Sequence, residues 1–367
     1  METKVQYFNE TELFLSEVKK ENHKLFIVCG QSFLQSTLRR KIERENLNIV
    51  YFHNFSPNPT YESVETGVNE YRRSGCDAVI AIGGGSAIDV AKAVKAFGNM
   101  KESQNYLEQE ISENGIPLYA VPTTAGSGSE ATKFAVIYYR GEKQSLTHPS
   151  LLPHKVLLEP SVLKGLPLPQ RKATMLDALC HAIEAFWSVN STRESKEYSR
   201  DALTAVVKYK DEYLQNTDKG NKGMMYAANM AGRAINIAQT TAAHAMSYQL
   251  TSRYHLPHGH AVSICLPHLW LYMLDHPDRC ADVRGAAYLS GIFTDIAGAL
   301  GCQTPRKAIG LLRDWIREME LEIPSVSESE IRDLTACVNP DRLKNNPVKL
   351  EQLDIQLIYH HLFTEDQ

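Results

Sequence analysis

The sequence predicts two domains: a Rossmann-like α/β domain with a parallel sheet over residues 1–160, and an all-α domain over residues 161–367. Three observations lead there. Short apolar runs alternate with polar, helix-like stretches through the first part of the chain. Glycine-rich loops follow two of those runs. Beyond Pro160 the strand signal stops, while helical periodicity persists.

The strands come first. "KLFIVC" (24–29), "NIVYF" (48–52), "AVIAIG" (78–83) and "PLYAVP" (117–122) are rich in β-branched or aromatic residues and bounded by Gly, Pro or Asn. Amphipathic stretches such as "TYESVETGVNEYRRSG" (60–75) separate them. Strand, helix, strand, helix implies a parallel sheet covered on both faces. "KFAVIYYRGEKQSLTH" (133–148) reads as a hairpin and "KVLLEP" (155–160) as a last strand. After it, "LPQRKATMLDALCHAIEAFWS" and "GMMYAANMAGRAINIAQTTAAHAMSYQLTSRY" are Ala-rich and helical in period. Asn346-Pro347 is expected to open a final helix.

Composition limits the function. The 367 residues suit two domains, and 43% hydrophobic with 22% charged residues is ordinary for a globular protein. A net charge of −4 offers nucleic acid or a membrane surface little to bind. No apolar run approaches the roughly 20 residues that span a bilayer, and the stretch "METKVQYFNETELFLSEV" is too polar for a signal peptide. Seven scattered cysteines without a CxxC read as reduced thiols of a cytoplasmic protein.

In "AVIAIGGGSAIDVAKAV" (78–94) a buried strand runs through Gly83, Gly84 and Gly85 into a helix. Glycines let the backbone approach a ligand closely. Ser86 is expected to cap the helix, whose first amides favour an anion. The pattern reads as a pyrophosphate cradle, although its spacing is not GxGxxG. A second loop, "VPTTAGSGSEAT" (121–132), brings Thr123, Thr124, Ser127, Ser129 and Thr132 to the end of another strand.

"DALCHAIEAFW" places Asp177 and His181 four apart, on one helix face, where both can hold one ion. His244 and His258 add imidazoles from "HAMSYQLTSRYHLPHGH". One carboxylate and three imidazoles suit Fe²⁺ or Zn²⁺ better than Ca²⁺ or Mg²⁺. A nicotinamide cofactor beside such a cation implies hydride transfer to a polarised carbonyl.

In order and spacing, "GGGSAIDVAK", "PTTAGSGSE", "DALCHAIEAFWS" and "HAMSYQL…PHGHA" resemble the iron-containing alcohol dehydrogenases. The resemblance implies a dinucleotide-binding first domain and a metal-binding second one. It implies Asp177, His181, His244 and His258 as ligands of Fe²⁺, with Zn²⁺ as the other candidate. It implies Asn58, Gly84, Gly85, Ser86, Asp89, Thr123, Thr124, Ser127 and Lys143 around NADH or NADPH. Two departures stand out. Tyr248 occupies the place where many members carry a second histidine, and is a candidate proton donor. Gly30 replaces the aspartate that ends the first strand of NAD-preferring members, which admits the 2′-phosphate of NADP(H).

"FSPNP" (55–59), "LTHPSLLP" (146–153), "AFWSVNST" (185–192) and "SYQLTSRYHLPHGHA" (247–261) further resemble the phosphonoacetaldehyde reductase branch. That implies a small anionic aldehyde as substrate, with Arg253, Thr240 and Thr241 as candidates to hold its charged end. The alternatives are a general short-chain alcohol or lactaldehyde dehydrogenase and, from another class, a dehydroquinate-synthase-like lyase. A homodimer is expected.

Overall fold

The computed structural model describes residues 5–365. Residues 1–4 and 366–367, which the two expected domain ranges include, lie outside the described residues. The chain divides into two compact units, one up to Leu166 and one from Pro167 onward. The division falls beyond Pro160 because a 3-10 helix, Pro160–Gly165, still belongs to the first unit.

The first unit holds strands β1 (Gln6–Phe8), β2 (Lys24–Cys29), β3 (Asn48–Phe52), β4 (Ala78–Gly83), β5 (Leu118–Pro122) and β8 (Lys155–Leu157) in one sheet, ordered β1-β8-β5-β4-β2-β3. Every pairing in it is parallel. β6 (Phe134–Tyr139) and β7 (Glu142–Thr147) form the separate antiparallel hairpin. The sequence reading missed β1. It has three residues, too few to show a period, and is fixed by pairing with β8, Gln6 opposite Lys155.

Both faces of the sheet are covered, and β2 shows why its sequence is a continuous apolar run. Phe26 and Val28 join a core with Val64 and Val68 of α3 (Tyr61–Ser74) and Val90 and Val94 of α4 (Gly85–Phe97). Leu25, Ile27 and Cys29 face the other way, toward Phe14, Leu15 and Val18 of α1 (Thr11–Glu21) and Leu38 and Ile42 of α2 (Thr37–Arg44). Alternate side chains of a strand point to opposite faces, so a strand buried on both needs apolar residues throughout.

The second unit is helical: α5 (Leu168–Trp187), α6 (Arg193–Leu214), α7 (Asp218–Ala238), α8 (Ala242–Tyr254), α9 (His258–Asp275), α10 (Ala286–Ala299), α11 (Pro305–Glu318), α12 (Glu328–Ala336) and α13 (Gln352–Glu365). α5 packs against α6, α7 and α9 and is buried nearly all round from Met175 to Trp187, which marks it as the centre of the bundle. The final helix opens at Gln352, not at Asn346-Pro347. The buried Asn346 donates from Nδ2 to the Val348 carbonyl at 2.7 Å, and Val348 bridges to Cys280, so this stretch is held extended. No described helix is long and apolar enough to cross a membrane.

Candidate metal centre and cofactor loops

In the first unit the two glycine-rich loops touch. α4 begins at Gly85 with Gly84 as its N-cap, and no side chain caps it. Ser86 therefore lies inside the first turn and does not cap the helix, because the chain enters helical geometry two residues earlier than its composition suggests. The first amides of the helix have no intrahelical partner and offer themselves to an anion. A Cβ on Gly84 would stand 3.2 Å from Thr124 Cγ2, and one on Gly85 3.1 Å from Ser127 Oγ. Any side chain there would fill the space between the loops, so the cradle fits a dinucleotide's pyrophosphate.

Lys92, two turns further along α4, fixes the second loop. Its buried ammonium lies 2.7 Å from Ser129 O, 2.7 Å from Thr132 O, 2.6 Å from Phe134 O and 3.0 Å from Thr132 Oγ1. Burial pulls its pKa down to about 8 against the opposing charges of Asp89 and Glu130. Asp89 accepts from Ser129 Oγ at 2.9 Å, and the Lys143 charge also reaches Asp89. Thr123 donates its backbone N–H to Gly83 at 3.0 Å, and Thr123, Thr124 and Ser127 are half-exposed. Asn58 is exposed with φ of 57°, and the next residue, Pro59, accepts from the Tyr138 amide at 2.8 Å. The "FSPNP" turn is thus tied to the hairpin that carries Lys143.

In the second unit three helices bring donors to one point. Around Asp177 Oδ1 stand His181 Nε2 at 3.8 Å, His244 Nε2 at 3.7 Å and His258 Nε2 at 4.0 Å. Asp177, His244 and His258 together can hold an ion. His181 lies against them, its ring stacked on that of His244 at 4.6 Å. Gly259 makes this convergence possible. A Cβ there would lie 2.0 Å from the Ala173 carbonyl, so only glycine lets the start of α9 press onto α5.

Asp177 Oδ1 and His244 Nε2 are buried and have no hydrogen-bond partner. Buried polar atoms in folded proteins are almost always satisfied, so this pair fits a bound cation. A carboxylate with imidazoles suits Fe²⁺ or Zn²⁺ far better than Ca²⁺ or Mg²⁺. Burial opposes the charge on Asp177, but the neighbouring imidazoles of His181, His258 and His244 hold its carboxyl well below the usual range. The His258 side chain is 41% exposed against 4% for His244, so the cluster opens on the His258 side.

The sequence reading missed Glu184. It is fully buried on the same face of α5 as Asp177 and His181, and Oε2 meets Nδ1 of His244. Its other oxygen accepts from the Thr241 amide at 2.9 Å, Thr241 Oγ1 at 2.8 Å and the His244 amide at 3.3 Å. One carboxylate thus orients the His244 imidazole and caps the start of α8. Burial opposes a proton on His244, but Glu184 and Asp177 outweigh it and raise the imidazole to about 10 when no cation is present. The spacing Asp177, His181, Glu184 keeps one helix face, and that was the available signal.

The expected substrate residues separate. Tyr248 lies one turn after His244, its ring parallel to His258 within 5° at 6.1 Å. Thr241 is buried, accepts from Trp187 Nε1 at 2.9 Å and donates to Glu184, so it is a strut of the centre and not a substrate donor. Thr240 is half-exposed, with its carbonyl accepting from Asn345 Nδ2 at 3.2 Å. Arg253 ends α8 exposed, 3.6 Å from Asp333 and in contact with Cys337 on the α12 side, which does not bring it to the donors.

The comparisons with known proteins agree with this geometry. The profile of the iron-containing alcohol dehydrogenases matches residues 6–160. That of the Fe-containing alcohol dehydrogenase C-terminal region matches residues 172–363. The chain is 33% identical over 308 residues to phosphonoacetaldehyde reductase of Streptomyces viridochromogenes, covering 80% of this chain and 78% of that protein. It is 30% identical over 314 residues to 1,3-propanediol dehydrogenase of Citrobacter freundii, covering 82% and 81%. The structure of sulfoacetaldehyde reductase from Bifidobacterium kashiwanohense in complex with NAD⁺ shares the fold, with a TM-score of 0.88 at 23% identity over 99% of this chain and 97% of that one. With both profiles matched across nearly its whole length, the chain belongs to the iron-containing alcohol dehydrogenase family.

Proposed function

We propose that this oxidoreductase uses NADPH or NADH to reduce phosphonoacetaldehyde to 2-hydroxyethylphosphonate in phosphonate biosynthesis, as a cytoplasmic homodimer. The observation that carries the substrate is the 33% identity to phosphonoacetaldehyde reductase over 80% of the chain. When bound, iron polarises a carbonyl and the reduced nicotinamide supplies hydride. The residues do the rest. Asp177, His181, His244 and His258 hold the ion, and Glu184 keeps Nδ1 of His244 engaged so that Nε2 faces the cluster. The open edge at His258 admits the aldehyde. Gly84, Gly85, Thr124 and Ser127 form the cradle for the cofactor's phosphates, with Asn58, Ser86, Asp89, Thr123 and Lys143 around it. Reduction of the bound carbonyl would leave its oxygen in need of one proton. We assign Tyr248 as that proton donor because it lies one turn after His244 with its ring parallel to His258.

Gly30 presents no acidic group to a ribose, and a Cβ there would meet nothing nearer than Ser32 Oγ at 4.0 Å. That space supports use of NADPH as well as NADH. Arg39 does not add to this argument, since it is engaged by Glu43 at 2.8 Å and Leu34 O at 2.9 Å. A second reading, a general short-chain alcohol or lactaldehyde dehydrogenase, draws on the 30% identity to 1,3-propanediol dehydrogenase. Oxidation of NADPH and NADH by Fe²⁺- or Zn²⁺-loaded protein, screened with phosphonoacetaldehyde, succinic semialdehyde, lactaldehyde and butyraldehyde, separates the two. The proposal expects the highest kcat/KM for phosphonoacetaldehyde; a higher value for lactaldehyde or butyraldehyde moves the assignment to the second reading. Stoichiometric consumption of the cofactor excludes a lyase of the dehydroquinate-synthase kind, which would return it unchanged.

A further inference from the structure

A cation other than Arg253 stands beside Tyr248, the ring neighbour of His258. The 3-10 turn Pro340–Leu343 is started by Asn339, whose Oδ1 accepts from the Asp341 amide at 2.9 Å. Just after it, Asn345 clasps the entrance to α8. Its Nδ2 lies 2.9 Å from Gln239 Oε1 and 3.2 Å from the Thr240 carbonyl, and its Oδ1 accepts from Asn190 Nδ2 at 2.8 Å. Gln239 has φ of 62° and ψ of 168°, a region that residues with a side chain rarely enter. Backbone strain of this kind persists only where the surroundings impose it, so the clasp holds the turn firmly against α8.

On that turn Arg342 is half-buried, with its guanidinium carbon 5.4 Å from the centre of the Tyr248 ring. The Tyr248 ring is in turn parallel to His258, the ligand at the open edge of the cluster. The guanidinium is therefore one ring removed from His258, the most exposed of the candidate ligands. A guanidinium carbon over an aromatic ring does not exclude hydrogen bonds from its N–H groups to an oxyanion, so the two are compatible. The planar fork matches two oxygens of a phosphonate, and a ring beneath it limits the orientations the long side chain must give up on binding.

We infer that Arg342, with Tyr248 as its platform, binds the anionic end of a short aldehyde whose carbonyl lies at the metal cluster. The inference rests on the proposed anionic substrate and replaces Arg253 with Arg342 as the residue that selects it. A neutral aldehyde of similar length has no group for this fork to hold.

The test compares the metal-loaded wild type, Arg342→Ala, Arg342→Lys and Arg253→Ala with phosphonoacetaldehyde and with butyraldehyde, and titrates each protein calorimetrically with methylphosphonate. Arg342→Ala should raise KM for phosphonoacetaldehyde about 30–100-fold with kcat largely kept, as expected for loss of a charge-assisted contact, and change KM for butyraldehyde by less than about threefold. Arg342→Lys should fall between, and methylphosphonate should bind wild type more than about tenfold tighter than Arg342→Ala. Equal losses on both aldehydes would show that Arg342 only supports Tyr248, and a selective loss in Arg253→Ala instead would also overturn the inference. If wild type itself prefers butyraldehyde, the substrate reading fails on its own. Methylphosphonate affinity then decides Arg342: a difference between wild type and Arg342→Ala keeps the anion site, and none removes it.

Discussion

Glu184 links the metal centre to the helix that carries it. It meets Nδ1 of His244 and accepts three further hydrogen bonds from the start of α8. Partners of this kind typically contribute 10–100-fold to metal affinity, so Glu184→Gln should weaken Fe²⁺ or Zn²⁺ binding by about that factor. The pH profile adds a sharper check. Without metal, His244 is raised to about 10, so at neutral pH its proton must leave before Nε2 can bind a cation. Metal affinity of the wild type should therefore tighten as pH rises from 6 toward 8. The variant lacks the carboxylate charge that holds this proton and should show a flatter profile. Calorimetric titrations at several pH values measure both; equal slopes would contradict the account. At this scale the donors were legible because type and helical spacing suffice for Asp177 and His181. Glu184 sat in the same motif, three residues after His181, and could have been read from the shared face. Thr241 could not. Its burial and its bonds to Trp187 and Glu184 come from α5 and α8 meeting, which no local pattern encodes.

Lys92 joins two elements in the way Glu184 joins two residues. From α4 it reaches the carbonyls of Ser129, Thr132 and Phe134, so the loop after β5 and the start of β6 hang on one ammonium. Replacing it by Met removes the donor these oxygens share, at a cost on the order of 3 kcal/mol. Lys92→Met should lower Tm by on the order of 10 °C and weaken NADH binding more than tenfold, measured by calorimetry and by cofactor fluorescence. Unchanged cofactor affinity would show that the loop keeps its shape without this anchor. Among elements, β2, β3 and β4 were readable to the residue, because Gly and Asn bound short runs rich in β-branched and aromatic residues. The start of α13 was not. Asn346-Pro347 is a fair local start signal, yet the Pro347 carbonyl accepts from Ala281 at 2.8 Å and the Lys349 amide donates to Arg279 at 3.0 Å. Those long-range bonds keep the segment extended. Ser86 shows the same limit at shorter range: glycine at 84 and 85 lets the helix begin ahead of the residue best suited to cap it.

At the scale of the whole molecule, the chain is two units with separate duties. The parallel-sheet unit presents a glycine cradle tied down by Lys92, and the helical unit gathers three imidazoles around the Asp177 carboxylate, open on the His258 side. Family membership assigns iron and NAD(P) to this arrangement. The most direct measurement follows phosphorus and cofactor together. Iron-loaded protein is mixed with phosphonoacetaldehyde and NADH or NADPH, and the products are read by ³¹P NMR beside the loss of cofactor absorbance. The account predicts one 2-hydroxyethylphosphonate for each cofactor oxidised, with both signals lost in Asp177→Asn. Cofactor oxidation only with neutral aldehydes, or phosphonate turnover with no cofactor consumed, would contradict it.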